Sequence, residues 1–378
     1  MTTHLVRAGR VVCPLSGVDA PGQVVVRGSR IEAVETGADC STKAGHELLD
    51  FPDGILLPGL IDLHAHPAVA NSVFGVPPDE HMLTQGVTTV MSQGDAGADN
   101  VDDYIVRTVC SSRARVLLAI NLSRIGESTE RGCFENPDDA DVSACVDAVA
   151  RHPEVVRAVS VNASHHACGS TEPREMLRRG LLVAEETKLP LLYGMRRPED
   201  WPLAEQLELL RPGDIVTYCF RREPHCIVEN GRVLDCVQEA RRRGVLFDVG
   251  HGTASFSFEV AEAAIHDGFL PDTISTDMQA RHLQLSSRHS LPLVMSKLLA
   301  AGMAEPDVFR AVTATPARLL GLAGPVGCLQ AGASADLVVL KRLPTEQLED
   351  AYGRSRSGHV WTVERVFCGD GFVVSQDL

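Results

Sequence analysis

The feature that most constrains the fold is an alternation of short apolar runs and amphipathic stretches through the middle of the chain. Strand candidates fall at 55–61, 87–91, 116–120, 155–161, 189–193, 215–218, 245–249 and 272–276. Helix candidates lie between them at 101–112, 142–152, 174–187, 202–210, 233–243 and 258–266, and two more follow at 291–300 and 306–320. Eight strand-then-helix units over roughly 260 residues predict an α/β fold, a (β/α)8 TIM-like barrel. A doubly wound open sheet competes, but no G-x-G-x-x-G follows the first strand. Residues 5–55 and the stretch from Ala335 to Val363 read instead as short strands broken by Gly and Pro. The expected division is therefore a small β-sandwich from both termini (1–55 plus 325–378) around a barrel at 56–324.

Composition excludes more than it selects. The net charge of −15 comes without a basic patch, which argues against a nucleic-acid partner. No run approaches the 18 or so apolar residues of a membrane span, so no membrane association is expected. The 11 cysteines carry no C-x-x-C pair. Cys219 and Cys226 lack finger spacing, and Cys219 reads as a core thiol. That usage fits a reduced, cytoplasmic setting. The remaining expectation is a small-molecule substrate, with homo-oligomerisation left open.

In a barrel, chemistry sits at the C-terminal ends of the strands. The first strand ends Leu60-Ile61-Asp62-Leu63-His64-Ala65-His66. Residues i and i+2 of a strand share a side and stand roughly 6.5 Å apart, from a rise of about 3.3 Å per residue. Two imidazoles at that spacing can converge on one metal ion. Other strand ends offer Asn162 with Ser164, His165 and His166, then Tyr193-Gly194 followed by Arg196, Tyr218-Cys219, Asp248 with His251, and Asp277. His165 and His166, on a polar loop, read as surface residues.

These phrases resemble the amidohydrolase superfamily, and within it the dihydroorotase-like and D-aminoacylase-like hydrolases and deacetylases. The resemblance rests on PGLIDLHAHP, GVTTVMSQGDAG, RPGDIVTYCF, FDVGHGTASFSFEVAEAAIHDGFLPDTISTD, TPARLLGL and GCLQAGASADLVVL, and spans nearly the whole chain. It implies a barrel with a β-sandwich, a divalent metal site, and hydrolysis of amide or ester bonds in small molecules. Three ligand positions depart from the family pattern. The carbamate-forming Lys on the fourth strand is Ser160, or Val159 with a one-residue slip. The fifth-strand His is replaced by Tyr193-Gly194, and the sixth-strand His by Tyr218. His64, His66 and Asp277 remain.

Two His and one carboxylate suffice for a single catalytic metal with an open position. Zinc is the expected ion, with Fe2+ or Mn2+ as alternatives. The expected site has His64, His66 and Asp277 as ligands and Asp277 or His251 handling protons. Tyr193 and Tyr218 are candidate oxyanion donors. Arg196 and Arg281 are candidate forks for a substrate carboxylate. The leading expectation is hydrolysis of an acyl amide or ester in a small anionic molecule. A deaminase or cyclic-amide hydrolase on the same scaffold is one alternative. A metal-free or catalytically inactive barrel that binds a small molecule is another.

Overall fold

The computed structural model describes residues 3–37, 46–196, 200–222, 226–285, 289–369 and 371–373. Seven parallel strands pair in chain order: Leu60–Ala65, Val87–Gln93, Arg115–Asn121, Val156–Asn162, Leu191–Gly194, Ile215–Thr217 and Leu246–Phe247. The eighth expected strand pairs with less regularity. It joins its neighbour by one parallel bridge, Asp248 with Thr273. The His251 amide then donates to the Ser275 carbonyl (3.2 Å), and on the other flank Asp277 donates to His64 (2.7 Å) and His66 to Met278 (2.8 Å). Residues 273–278 thereby link the seventh strand to the first and close the ring.

The expected strand at 55–61 divides in two. Its first half belongs to the long strand Glu47–Pro58 of the terminal sheet, and its second half opens the barrel. The apolar run hides this break because both halves are buried. Gly59 marks the corner: a Cβ there would lie 2.1 Å from Thr88 Oγ1. The terminal strands form one seven-stranded sheet, in the order Gly371–Val373, Ser355–Cys368, Leu337–Glu349, Glu47–Pro58, Thr3–Cys13, Val18–Arg27, Arg30–Thr36. That sheet has its own apolar cluster, which includes Val6, Val24, Leu56, Val339 and Phe367.

Below the mouth, Ile61, Leu63, Met91, Leu117, Ala119, Ala158, Leu192 and Ile215 come from six successive strands and form one buried cluster. Each of the Ile, Leu and Met side chains among them contributes about 1.5–3 kcal/mol on burial. The outer helices pack by a period near 3.6. In Pro173–Thr187 the buried set is Pro173, Met176, Leu177, Gly180, Val183 and Ala184. Gly180 permits close approach, since a Cβ there would lie 2.4 Å from Val161 Cγ2. Among the described residues no helix is long and apolar enough to cross a membrane.

Candidate metal centre

His64 and His66 leave the first strand with ring centroids 6.4 Å apart. Each ring is tied through Nδ1. His64 Nδ1 lies 2.7 Å from Thr217 Oγ1, whose hydroxyl donates to Asp248 Oδ2 at 2.9 Å. Asp248 also accepts from Thr273 Oγ1 (2.7 Å) and Ser275 Oγ (2.6 Å). With the Thr217 proton spent on Asp248, the hydrogen between His64 and Thr217 belongs to His64 Nδ1. His66 Nδ1 donates to Asp95 Oδ1 at 3.0 Å, and Asp95 accepts from Ser72 and Ser92 as well. In the neutral imidazoles both Nε2 lone pairs are thereby left for an ion, which would take the place of a proton there. A carboxylate behind each imidazole fixes ring orientation and raises ligand basicity.

Asp277 completes the set. Its Oδ1 stands 3.5 Å from His64 Nε2 and 3.2 Å from His66 Nε2. The three ligand atoms lie within 4.8 Å of one another, and all three residues are buried. Asp277 has φ of 50°, a left-handed conformation that costs a non-glycine residue. The Asp277–His64 backbone bond holds it there. Gly252 makes room, since a Cβ at Gly252 would lie 2.5 Å from Asp277 Oδ2.

The charges reinforce the geometry. Burial opposes a charge on His64, but Asp248 and Asp277 outweigh it and lift the imidazole to about 9. Burial opposes a charge on His66 too, and Asp95 and Asp277 raise it well above the ordinary range. Burial likewise works against the Asp277 carboxylate, yet the two imidazoles hold it well below the usual range. Two nitrogen donors and one carboxylate, converging and anchored from behind, fit a divalent cation.

A cavity of ≈ 200 Å³ opens over His66 and Asp277. Tyr218 lines it, with its hydroxyl 3.5 Å from His64 Nε2 and its ring under the Arg221 guanidinium at 4.4 Å. Burial pushes the Tyr218 hydroxyl up, so it is a hydrogen-bond donor. Arg281 also lines the cavity and stacks on Phe74 at 5.2 Å. At the expected carbamate position, Ser160 Oγ accepts from Gln93 Nε2 at 3.1 Å, a neutral pair that offers no metal bridge.

Three expected site residues lie elsewhere. The Tyr193 hydroxyl donates to Gln206 Oε1 at 2.8 Å and is fully buried. Strand alternation turns Tyr193 outward onto the helix Leu203–Glu208. Arg196 is occupied by Asp200 (3.1 Å) and the Ala163 carbonyl (3.4 Å). His251 has both nitrogens engaged: Nδ1 donates to the Gly252 carbonyl at 2.8 Å, and Lys297 Nζ donates to Nε2 at 2.9 Å. Burial and the Lys297 charge hold that imidazole well below its usual range, hence neutral. None of the three lines the cavity, so the substrate and proton-transfer roles expected of them do not match their surroundings.

His166 is exposed, as expected, and also lines the cavity; His165 is half-buried and pairs with Asp200. Cys219 is a buried thiol, as its apolar context suggested. Sequence reasoning missed Asp95, Thr217, Glu127, Arg221 and Gln279. Asp95 stands in the quoted GVTTVMSQGDAG phrase and Thr217 in RPGDIVTYCF, so position in the motif could have flagged both. Glu127, in a polar loop, carries no local signal.

Comparison with known proteins places this geometry in a lineage. The sequence pattern of the Amidohydrolase family matches residues 214–364. A deacetylase of Agrobacterium fabrum is 30% identical over 353 residues, 93% of this chain and 83% of that protein. A deacetylase of Enterococcus faecalis is 29% identical over 89% of this chain and 90% of that protein. Among solved structures, a dihydroorotase superposes with a TM-score of 0.88 at 28% identity, covering 99% of both chains. An adenine deaminase does so with a TM-score of 0.88 at 26% identity, covering 98% of this chain and 99% of that one. The chain belongs to the amidohydrolase family of hydrolases.

Proposed function

We propose that the protein hydrolyses an acyl amide or ester bond of a small anionic molecule at a site holding a single divalent metal ion, zinc being the best fit. The observation that carries this reading is the convergence of His64 Nε2, His66 Nε2 and Asp277 Oδ1 under a cavity edged by Arg221 and Arg281. An ion held by these three residues supplies Lewis acidity and lowers the pKa of water at its open position. The chain's own groups do the rest. Asp277 Oδ2 accepts the proton of the attacking water and returns it to the leaving nitrogen or oxygen. The Tyr218 hydroxyl donates to the oxygen that gains charge. Arg221 and Arg281 orient the anionic end as planar donors. Ser160 and Tyr218 stand where a second ion would need a bridge and an imidazole, which favours one ion over two. The deacetylase relatives support amide cleavage. The adenine deaminase neighbour supports a second reading, release of ammonia by the same water.

Elemental analysis of the wild type and of a His64→Ala, His66→Ala double variant tests the reading. One equivalent per chain, lost in the variant together with hydrolysis of N-acyl amino acids and acyl esters, is expected. Two equivalents overturn the single-metal site. Ammonia release from amino-heterocycles without acyl cleavage favours deamination. Metal without turnover of either kind favours a binding protein.

A further inference from the structure

The cavity contains a carboxyl group outside the proposed three-ligand centre, although it lies with His66 and Asp95 in a second cluster of close donor atoms. Glu127 lies beyond the third barrel strand, lines the cavity and retains 11% side-chain exposure. Its Oε2 is buried without a hydrogen-bond partner. Among the described residues its one ion-pair contact is His66 Nδ1 at 3.5 Å, and that nitrogen's hydrogen points to Asp95 Oδ1 at 3.0 Å. Asp277, in contrast, has both imidazoles. Gln279 adds a second orphan acceptor. It is 8% exposed and lines the same cavity. Its Nε2 donates to Asp277 Oδ1 at 3.4 Å, which fixes the amide's orientation and leaves the buried Oε1 without a donor. The cavity thus combines two guanidiniums, suited to an anion, with two acceptor oxygens that no protein donor satisfies.

Two buried acceptor oxygens without donors are retained at a cost that a ligand's donors would offset. An ammonium, with three donors and no acceptor, complements that pair and bonds most strongly to a carboxyl group. We propose that Glu127 is a specificity residue that binds a protonated nitrogen of the substrate. The substrate class is then an acylated amine bearing both a carboxylate, for Arg221 and Arg281, and a second, cationic nitrogen, for Glu127. An N-acyl diamino acid meets that description and a simple N-acyl amino acid does not. The inference rests on the hydrolytic reading of the site.

The test compares N-acetylornithine with its uncharged isostere N-acetylnorleucine, each in both enantiomers, on the metal-loaded protein. Binding is read by calorimetry, turnover by amine release, and metal content on the same samples. The wild type should bind one enantiomer of the ornithine compound at least tenfold more tightly than the isostere. Glu127→Gln should bring that ratio to within threefold through loss of affinity for the ornithine compound. Glu127→Asp, which keeps the carboxyl group, should retain a preference. Equal affinities in the wild type overturn the proposal. So does an equal loss for both compounds in Glu127→Gln, or loss of metal from that variant, which would make Glu127 a ligand. A preference without hydrolysis of either compound sinks the hydrolytic reading and leaves recognition standing. Hydrolysis without preference does the reverse.

Discussion

At the residue scale, the candidate centre is built as much from the groups behind His64, His66 and Asp277 as from those residues themselves. Asp95 orients His66 through Nδ1. Asp95→Asn should therefore lower metal affinity by roughly 10–100-fold, the usual effect of losing such a partner, with the fold intact. Competition with a chromogenic chelator measures this, and unchanged affinity would show that His66 is positioned without Asp95. Tyr218 permits the converse separation. If its hydroxyl stabilises the developing oxyanion, Tyr218→Phe should reduce kcat by about 10²–10³ and leave metal content at the wild-type level. A rise in KM alone would assign it to substrate binding.

At the element scale, two glycines and one buried lysine set how closely the pieces meet. Gly252 combines φ of 49° with a Cβ position 2.5 Å from Asp277 Oδ2. Gly252→Ala should weaken metal binding, because the left-handed turn and the displaced carboxylate each disfavour the native loop, by roughly 1–3 kcal/mol for the backbone. Gly180 shows the same constraint on the outside of the barrel. Alanine there gains about 1 kcal/mol of helix propensity, but overpacking against Val161 should cost about 1–3 kcal/mol. Chemical denaturation of Gly180→Ala should thus show no stabilisation.

The helix Leu291–Ala300 carries Lys297 to His251, where burial lowers the amine from 10.5 to about 8. The folded state then binds fewer protons than the unfolded chain between those two values. Its stability cost is full below about pH 8 and is relieved as pH rises toward 10.5. Lys297→Met should accordingly be the more stable protein near neutral pH. Its advantage should shrink by up to about 3 kcal/mol as the amine of the wild type discharges. A pH-independent difference between the two would show that the ammonium costs nothing where it sits.

At the scale of the whole molecule, the three proposed ligands come from the two ends of the barrel. His64 and His66 belong to the first strand, and Asp277 to the segment that closes the ring onto it through the His64 and Met278 carbonyls. An ion bound to all three should act as a clasp on that closure. Binding to the folded state alone at 1,000 times the dissociation constant adds about 4 kcal/mol. Chelation should lower the unfolding temperature by several degrees in the wild type. It should do so far less in Asp277→Asn. Scanning calorimetry with and without chelator decides the point, and equal shifts in the two proteins would show that the clasp is not at this site.

Sequence alone pointed to the alternating elements, the barrel, a β-rich unit built from both termini and the candidate group His64, His66 and Asp277, because each is written in local periodicity or in a short phrase with a backbone geometry. Val87–Gln93 and Arg115–Asn121 are apolar runs of strand length, and His-x-His carries its own spacing. Only the tertiary structure decided which strand-end groups face the cavity. Tyr193, Arg196 and His251 are as polar and as near a strand end as Tyr218 and Arg281. Yet Gln206, Asp200 and Lys297, distant in space from the ligands or packed behind them, draw the first three away. Nor does local pattern reveal that Asp95 stands behind His66, or that Glu127 is left without a donor. Both follow from which loops the closed barrel brings together, and that long-range placement is absent from any short window of the chain.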